Sequence, residues 1–267
     1  MKDKEYLQRY ARQQLRDCQL KQLGILKEID RICRRHGILY WLDGGSLLGA
    51  VRHGGFIPWD DDIDIAMGRD DLRRFCEVAP AELPATLFVQ TPESDPNNGP
   101  IVKVRDLNSL YLEHGDDMET DYVKGIYVDI FPFMSHPDVP RQWIKRLHVG
   151  LSKSYSILHR KHYYSLRAAA ELCWFGGKYL LYAAVWRLLC LCCPSHHYAN
   201  IPIINGYGIT HLRDTVLPLS EVHFEDATFP APHDADQYLR NIYGDYMQLP
   251  PEEKRKTHAV FIQPTLG

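Results

Sequence analysis

The chain of 267 residues has 45% apolar and 24% charged side chains, and its 31 basic and 34 acidic residues give a net charge of −3. This composition excludes a disordered or fibrous chain, because such chains are poor in large apolar residues or repetitive. The near-neutral balance also argues against nucleic-acid binding through a broadly basic surface. Acidic residues are nevertheless concentrated locally, since Asp60, Asp61, Asp62 and Asp64 follow one another closely.

The cysteines and the apolar tracts suggest a compartment. Seven cysteines at irregular spacing, in a chain too large to need disulfide bonds, indicate reduced thiols. The first ten residues are charged and do not resemble a secretory leader, so a cytoplasmic location is expected. The longest apolar tract, residues 179–193 with Arg187 inside it, is shorter than the roughly 20 residues of a membrane-spanning helix. We expect a buried or surface-lying helix there.

Hydrophobic periodicity predicts an α+β chain. Apolar residues at helical spacing, among them Leu15, Ile25 and Ile32, predict a helix over residues 3–36 that ends at Gly37. Runs of β-forming residues then predict strands at 38–43, 61–66, 87–90, 101–105, 109–112 and 125–131. Residues 141–193 return to helix, and two further helices are predicted at 235–243 and 251–260.

A glycine-rich turn follows the first predicted strand. Gly44 and Gly45 let the backbone turn sharply and approach a ligand, because neither has a Cβ atom. Ser46 would then lie at the start of a helix, where its hydroxyl and the free backbone N–H groups can receive a phosphate. The alternative is a purely structural turn in which Ser46 caps the helix.

The acidic segment predicts a metal site. Because side chains alternate along a strand, Asp60, Asp62 and Asp64 share one side, and the opposite side, with Ile63, faces the core. Adjacent carboxylates raise one another's pKa unless a cation lies between them, and Mg²⁺ or Mn²⁺ prefers such oxygen ligands. The alternative, a solvated acidic turn, accounts for Asp60 but not for the alternation of Asp62 and Asp64.

A third carboxylate comes from a distant strand. Asp129 is the single charge in an apolar run that includes Val128 and Ile130. A carboxylate in such a place is costly unless a metal, a cation or a proton compensates its charge. Asp129 is therefore predicted to complete the metal site, and the alternative is a charge at an exposed strand end.

Together these motifs resemble a known family. Gly44-Gly45-Ser46 with the acidic strand is the pattern of the nucleotidyltransferase fold, and the longer string over residues 42–65 is similar to the LicD family of phosphotransferases. Fukutin and the fukutin-related protein are eukaryotic relatives of that family. Further matches lie at 128–132, at 243–247 with the prolines at 250 and 251, and at His258.

The resemblance implies a fold and a division of the chain. It implies an α+β, nucleotidyltransferase-like mixed sheet with an N-terminal helix and an additional helical region. Residues 1–37 would pack on a catalytic core at 38–140, and residues 201–267 would complete the catalytic domain. Residues 141–200 match no motif of the family. Basic residues beside many aromatic residues there suggest contact with the acceptor or an anionic membrane surface, and ordinary domain packing is the alternative.

The resemblance also implies an activity. Such enzymes move a phospho-alcohol, most often phosphocholine, from a CDP-linked donor such as CDP-choline to a glycan hydroxyl and release CMP. The donor can also be CDP-ribitol, and the acceptor is a surface glycan such as lipopolysaccharide or teichoic acid. Asp62 and Asp64 would hold Mg²⁺ or Mn²⁺, as two ions, and Asp129 would complete the metal site or accept the proton of the attacking hydroxyl. A lipid-linked acceptor would suit a protein at the inner face of the membrane.

Three basic residues are candidates for binding the donor diphosphate. Arg52 follows Ser46 on the predicted short helix, and Lys103 and Arg105 share one face of their strand. Each has an ordinary surface cation as its alternative. Gly44, Gly45 and Ser46 complete the predicted substrate-binding set.

Two other functions remain open. A nucleotidyltransferase that modifies a small molecule would use a similar metal geometry and release pyrophosphate. A non-catalytic binding module could retain the same fold, although an intact set of glycines and aspartates argues against it. Four aromatic residues near the predicted site could form a cage for a quaternary ammonium group: Trp41, Trp59, Tyr122 and Tyr127.

Overall fold

The computed structural model describes residues 2–95, 100–113, 115–116, 119, 122–160, 165–255 and 257–266, with side chains from residue 13 onward. The chain divides into two compact units. The first contains residues 1–132 and 218–267, and the second contains residues 133–217. The second unit therefore begins inside a strand and is wider than the helical region predicted at 141–200.

The N-terminal part of the chain alternates helices and strands. In chain order the elements are α1 (Lys2–His36), β1 (Tyr40–Leu42), α2 (Gly44–His53), β2 (Asp64–Gly68), α3 (Arg69–Glu82), β3 (Leu87–Gln90), β4 (Val102–Asp106), β5 (Leu110–Glu113) and β6 (Tyr127–His136). The predicted helix over 3–36 and the six predicted strands are confirmed, with shifts of a few residues at their ends. Residues 96–99, between β3 and β4, lie outside the described residues.

The remaining elements complete both units. They are α4 (Arg141–His159), α5 (Leu166–Cys192), β7 (His197–Asn200), β8 (His211–Leu212), α6 (Arg213–Val216), β9 (Ser220–Phe224), β10 (Ala227–Ala231), α7 (Ala235–Tyr243) and β11 (Ala259–Gln263). The predicted helix at 235–243 is confirmed. The helix predicted at 251–260 is wrong, because a short 3-10 helix at Glu252–Lys254 is followed by β11.

A central sheet organises the first unit. Its strands lie in the order β1-β2-β6-β4-β3. The antiparallel pairing of β4 with β6 places Lys103 opposite Asp129, and that of β1 with β2 places Leu42 opposite Ile65. Two separate antiparallel pairs, β9 with β10 and β11 with β5, lie outside this sheet. The chain is thus a mixed α+β protein, as predicted.

The core of the first unit is built from α1 and the sheet. On α1, Cys18, Leu26, Ile29, Ile32 and Cys33 are completely buried, which is the stripe that the periodicity predicts. Ile63 in the segment before β2, Ile65 in β2 and Val128 in β6 are buried as well. Burial of these apolar side chains holds the acidic segment against the core and leaves Asp60, Asp62 and Asp64 on its other side.

The second unit contains α4, α5 and α6, with β7 paired to the 133–136 part of β6 and to β8. Trp186 is the buried residue of α5, and most of the other side chains of this helix are exposed or half-buried. By length and composition alone, α5 is the one helix among the described residues that could cross a membrane. The expectation of a buried helix is therefore not met, whereas a surface-lying helix fits the exposure.

Two buried histidines pack against Trp186 in the second unit. The ring centroids of His136 and His148 are 5.2 Å apart, and each ring is within 4.9 Å of the Trp186 ring. His136 Nδ1 contacts the Met134 carbonyl at 3.0 Å, and His148 Nδ1 contacts the Asn205 carbonyl at 3.2 Å. Burial, followed by the charge of the partner histidine, lowers the pKa of His148 to about 3. The imidazole is thus neutral in the folded chain.

This neutral histidine makes the second unit sensitive to acid. The unfolded chain binds a proton at His148 near pH 6.5, whereas the folded chain does so only near its pKa of about 3. The contribution of the neutral His148 to the unfolding free energy is therefore fully present above pH 6.5. It decreases as the pH falls below 6.5, by at most about 1.4 kcal/mol per pH unit. Between pH 7 and pH 5, we expect the wild type to lose about 2 kcal/mol more unfolding free energy than His148→Gln.

Denaturant unfolding of both proteins at the two pH values measures this difference. The exposed His233, replaced by glutamine in the same way, is the control for the chemical change itself. An equal loss of stability in wild type and His148→Gln would show that His148 is protonated in the fold.

Candidate active site

The turn from β1 into α2 forms one wall of the site. The helix begins at Gly44, and Asp43 caps it by accepting a hydrogen bond from the Gly44 N–H at 2.8 Å. Asp43 is held in turn by the hydroxyl of Tyr238, which donates to it at 2.6 Å. Gly44 has a φ of +50°, a conformation that favours glycine. Ser46 therefore lies in the first turn of the helix, as predicted, and the alternative in which Ser46 caps the helix is wrong.

The two glycines permit a close approach, but of carboxylates. A Cβ atom on Gly45 would lie 2.8 Å from Asp60 Oδ2, and one on Gly44 would lie 3.1 Å from Asp64 Oδ2. The acidic side chains thus pack directly against the first turn of α2. The positive end of the helix dipole favours negative charge at this position.

Ser46 positions one of these carboxylates. Its side chain is 5% exposed, and its Oγ accepts a hydrogen bond from the Asp64 backbone N–H at 2.8 Å. Ser46 therefore ties α2 to the first residue of β2. The direct phosphate contact that the sequence suggests for Ser46 stays a prediction.

The acidic segment alternates as the sequence predicts. Asp61, Ile63 and Ile65 are completely buried, whereas Asp60, Asp62 and Asp64 retain exposure on the other side. The strand itself is shorter than predicted, since β2 begins at Asp64. Asp60 joins Asp62 and Asp64 along the same wall of the site, so three carboxylates line it.

Asp129 lies beside this segment on β6. Its backbone N–H donates to the Ile63 carbonyl at 2.9 Å, and its side chain is buried. Lys103, which faces it from β4, places its Nζ atom 2.6 Å from Asp129 Oδ1. The buried carboxylate is therefore compensated by a cation of the protein itself.

The carboxylates repel one another. Burial, followed by the charges of Asp62 and Asp129, raises the pKa of Asp64 well above its ordinary value. Burial and the charges of Asp62 and Asp61 raise the pKa of Asp60 to about 8. Burial also raises the pKa of Asp129, although the ion pair with Lys103 opposes this shift. Excess negative charge is concentrated here, and a divalent cation would relieve it.

His258 and Asp61 join the C-terminal segment to the site. Asp61 accepts hydrogen bonds from the backbone N–H groups of His258 and Ala259 at 2.9 and 2.7 Å. The imidazole of His258 lies 3.3 Å from both Asp61 Oδ1 and Asp62 Oδ2. Hydrogen bonds to these two carboxylates raise the pKa of His258 to about 11, so that it is a cation at neutral pH.

A cavity of about 410 Å³ opens over the acidic side chains. Its charged and aromatic lining, which includes residues from both ends of the first unit, comprises Arg52, Trp59, Asp60, Asp62, Asp64, Tyr243, Asp245, Tyr246 and His258. Arg52 is held in place by donating from Nη1 to the Tyr246 carbonyl at 2.7 Å. The cavity is large enough for part of a nucleotide-sized ligand.

The three predicted cations have different positions. Arg52 lines the cavity, and Lys103 contacts Asp129. Arg105 shares a face with Lys103, as predicted, and both cations lie over the ring of Tyr127. However, the Arg105 side chain is buried, and it donates to Gln90 Oε1 at 2.5 Å and to the Gly125 carbonyl at 2.8 Å. It borders a separate cavity of about 160 Å³ with Tyr111, Glu113 and Tyr122.

The four aromatic residues considered for a choline cage are not brought together. Trp41 is buried in the core, while Trp59 lines the cavity with the Arg255 guanidinium 4.8 Å from its ring centroid. Tyr122 and Tyr127 border the smaller cavity, and each ring is covered by a lysine. The rings near the site are thus already paired with protein cations.

Several groups can supply metal ligands. Asp60, Asp61, Asp62 and His258 each place a ligand atom within 4.8 Å of the others. Both oxygens of Asp61 already accept backbone hydrogen bonds, and His258 is protonated beside the carboxylates. The carboxylates with oxygens free to bind a hard cation are therefore Asp60, Asp62 and, close by, Asp64.

The sequence does not single out three members of the site. The alternation along the acidic segment places Asp60 on the same side as Asp62, which is a signal for the site, but a solvated turn accounts for Asp60 equally well. Tyr243 and His258 lie in stretches that match the family, without any pattern that gives them a role. Their positions at the site depend on contacts across almost 200 residues, such as the His258–Asp61 hydrogen bond.

Comparisons with known proteins match the region that contains most of these residues to one family. Residues 37–166, which contain the glycines, Asp60 to Asp64, Lys103 and Asp129, match the family described as LicD/FKTN/FKRP, nucleotidyltransferase domain. Over these residues the chain is similar to the LicD family. It is 28% identical over 280 residues to the lipopolysaccharide cholinephosphotransferase LicD of Haemophilus influenzae, covering 92% of this chain and 96% of that protein.

A second kind of LicD relative is eukaryotic. The chain is 33% identical over 99 residues to the human ribitol 5-phosphate transferase FKRP, which covers 36% of this chain and 17% of that protein. The mouse FKRP matches to the same extent. Both kinds of relative are named as transferases of a phosphate-linked alcohol, choline in one and ribitol in the other.

Proposed function

We propose that the protein is a metal-dependent transferase that moves a phospho-alcohol, phosphocholine first among the candidates, from a CDP-linked donor to a hydroxyl of a cell-surface glycan. The observation that supports this most directly is the set of carboxylates Asp60, Asp62 and Asp64 that lines a cavity of about 410 Å³, with the buried Asp129 close to Asp64. The similarity to a cholinephosphotransferase over most of the chain supports the choice of the transferred group.

A divalent cation fits this set of residues. Burial, followed by the charges of the neighbouring carboxylates, raises the pKa values of Asp60 and Asp64, and carboxylate oxygens are the ligands that Mg²⁺ and Mn²⁺ prefer. We assign Asp62 and Asp64 as the principal metal-holding residues, for two ions, and Asp60 as a further candidate. When bound, the metal supplies charge neutralisation of the donor diphosphate, an effect worth several kcal/mol.

The other residues act on the substrates. Arg52 in the cavity wall and Lys103 beside Asp129 would orient the donor phosphates. Asp129 would either complete the metal site or accept the proton of the acceptor hydroxyl, whose oxygen attacks the donor phosphorus that carries the alcohol. The bond between this phosphorus and the oxygen that bridges it to the CMP phosphorus breaks, and CMP leaves with the electron pair of that bond. Arg105, enclosed by Gln90 and Gly125, would act only on the position of Lys103.

A panel of donors tests the proposal. The purified chain is incubated with Mg²⁺, a glycolipid extract and one of CDP-choline, CDP-ethanolamine, CDP-glycerol or CDP-ribitol. We expect CMP release with one donor well above the others, with CDP-choline as the first candidate. The reaction should stop when EDTA removes the metal, and the Asp62→Asn variant is the control for contaminating activities.

The same assay separates the alternatives. Release of pyrophosphate from CTP or ATP, without CMP from any CDP-alcohol, would identify a nucleotidyltransferase instead. If none of the donors binds or reacts with Mg²⁺ present, the proposed transferase activity is wrong and a binding module is the better assignment. A preference for CDP-ribitol would retain the reaction and change the transferred alcohol.

A further inference from the structure

Helix α5 leaves a long apolar face uncovered. The side chains of Leu180, Leu188 and Leu191 are 70%, 59% and 84% exposed, and Trp174 and Leu181 are each 62% exposed. Isolated exposed leucines are common on protein surfaces, but several on one helix indicate a surface that another phase or molecule covers.

The exposed residues form one continuous stripe. At about 100° per residue, the positions 173, 174, 177, 180, 181, 184, 185, 188 and 191 lie within an arc of about 140°. From Cys173 to Leu191 this arc contains no charged residue. Lys178 and Arg187 lie at its two margins, where a cation can extend towards lipid phosphates while the stripe contacts the hydrocarbon.

The opposite face of α5 packs on α4. The contact is close at the middle of both helices, since a Cβ atom on Gly150 would lie 2.5 Å from the ring of Tyr182. Between the helices is a groove of about 720 Å³, lined by Lys145, Arg146 and Lys153 from α4 and Lys178 from α5. Apolar walls come from Val149 and Phe175, and no acidic residue is among the described lining residues.

The groove is a positively charged site without its own counter-charge. Among the described residues, no carboxylate forms an ion pair with Lys145, Arg146 or Lys153, all of which are exposed. Lys178 lies over the rings of Trp174 and Phe175, at 4.9 and 5.8 Å from their centroids. Four cations next to apolar walls fit the phosphate of an anionic lipid better than they fit a free, fully hydrated anion.

The packing favours a helix that lies in the membrane surface over one that spans it. Because α4 contacts α5 at its middle, a spanning α5 would carry Lys145, Arg146 and Lys153 into the hydrocarbon, where each charge costs several kcal/mol. We propose that the second unit docks on an anionic bilayer, with the apolar stripe of α5 in the interface and lipid phosphates in the α4–α5 groove. This inference does not depend on the transfer reaction.

Vesicle sedimentation with the full chain tests the proposal. We expect the protein to pellet with vesicles containing about one third phosphatidylglycerol and to remain in solution with pure phosphatidylcholine vesicles. The double variant Lys145→Glu, Arg146→Glu should weaken binding about tenfold or more, and Leu181→Gln with Leu188→Gln should do the same. Circular dichroism should show that these surface variants fold as the wild type does.

Matched substitutions in the first unit serve as controls. Arg69→Glu with Arg73→Glu makes the same charge change on α3, and Leu20→Gln replaces an exposed leucine on α1. Both should pellet with the anionic vesicles as the wild type does. Inorganic phosphate should not release the wild type from intact vesicles. A lipid phosphate in the groove belongs to the same bilayer that contacts the apolar stripe, so a free phosphate ion does not replace it.

Four results would overturn the proposal. The first three are sedimentation with neither vesicle, equal binding by the wild type and both the α5 and α4 double variants, and release by inorganic phosphate alone. A wild-type dimer in light scattering that becomes a monomer on Leu181→Gln, Leu188→Gln, without vesicle binding, would also overturn it, because a second copy would then cover the stripe.

Discussion

Replacement of Asp64 by asparagine is expected to reduce CMP release ~10³-fold or more, and Asp62→Asn should have a similar effect. Asparagine has the same shape but lacks the charge that would hold a divalent cation against the donor diphosphate. Asp64 packs against Gly44, and its backbone N–H donates to the Ser46 hydroxyl, so its position is fixed relative to α2.

The loss should be one of metal binding and not of folding. Asp64→Asn removes negative charge from a group of carboxylates that repel one another, so its melting temperature should stay the same or rise. Asp62→Asn gains the same relief but loses the ion pair with His258, so its melting temperature should stay close to that of the wild type. Electron paramagnetic resonance of bound Mn²⁺ measures the metal directly, and Asp70→Asn, at a highly exposed carboxylate on α3, is the matched control. Wild-type turnover in Asp62→Asn or Asp64→Asn would remove that residue from the metal site.

Asp61→Asn is expected to destabilise the fold by about 3 kcal/mol, although Asp61 is the immediate neighbour of Asp62. Its completely buried carboxylate accepts from the N–H groups of His258 and Ala259. An asparagine would point its NH₂ group at one of these donors and leave that N–H group without its acceptor. It would also remove one of the two negative partners of the protonated His258 ring.

Denaturant unfolding compares Asp61→Asn with Asp62→Asn. The first should unfold at clearly lower denaturant, and the second should unfold at a denaturant concentration close to that of the wild type. Hydrogen exchange at β11 should accelerate in Asp61→Asn, because this strand follows the lost hydrogen bonds. Equal stability of the two variants would show that Asp61 does not anchor the C-terminal segment.

Much of the fold and part of the site can be predicted from the sequence, because they depend on local periodicity. The stripe of α1 and the alternation of Ile63 and Ile65 with Asp62 and Asp64 follow from the pattern of apolar residues. The isolation of Asp129 in an apolar strand correctly indicates a buried carboxylate that needs compensation. What the pattern does not contain is the compensating group, since Lys103 faces Asp129 only through the β4–β6 register.

The C-terminal segment shows the limit most clearly. Pro251 followed by Glu252 and Glu253 is typical of a helix start, and one turn does form there. Beyond it, the N–H groups of His258 and Ala259 bond to Asp61, and β11 pairs with β5. These tertiary hydrogen bonds outweigh the local preference. For the same reason, the role of His258 beside Asp62 cannot be read from its neighbours in the sequence.

The Asp61–His258 connection also has a consequence for the timing of biosynthesis. The acidic segment leaves the ribosome 197 residues before the backbone donor that holds it, an interval of roughly 10–40 s at 5–20 residues per second. During that interval the nascent chain presents a cluster of aspartates that lacks its C-terminal partner. The active site is therefore completed late in translation, and a chain that stalls before His258 would carry the aspartates without the segment that anchors Asp61.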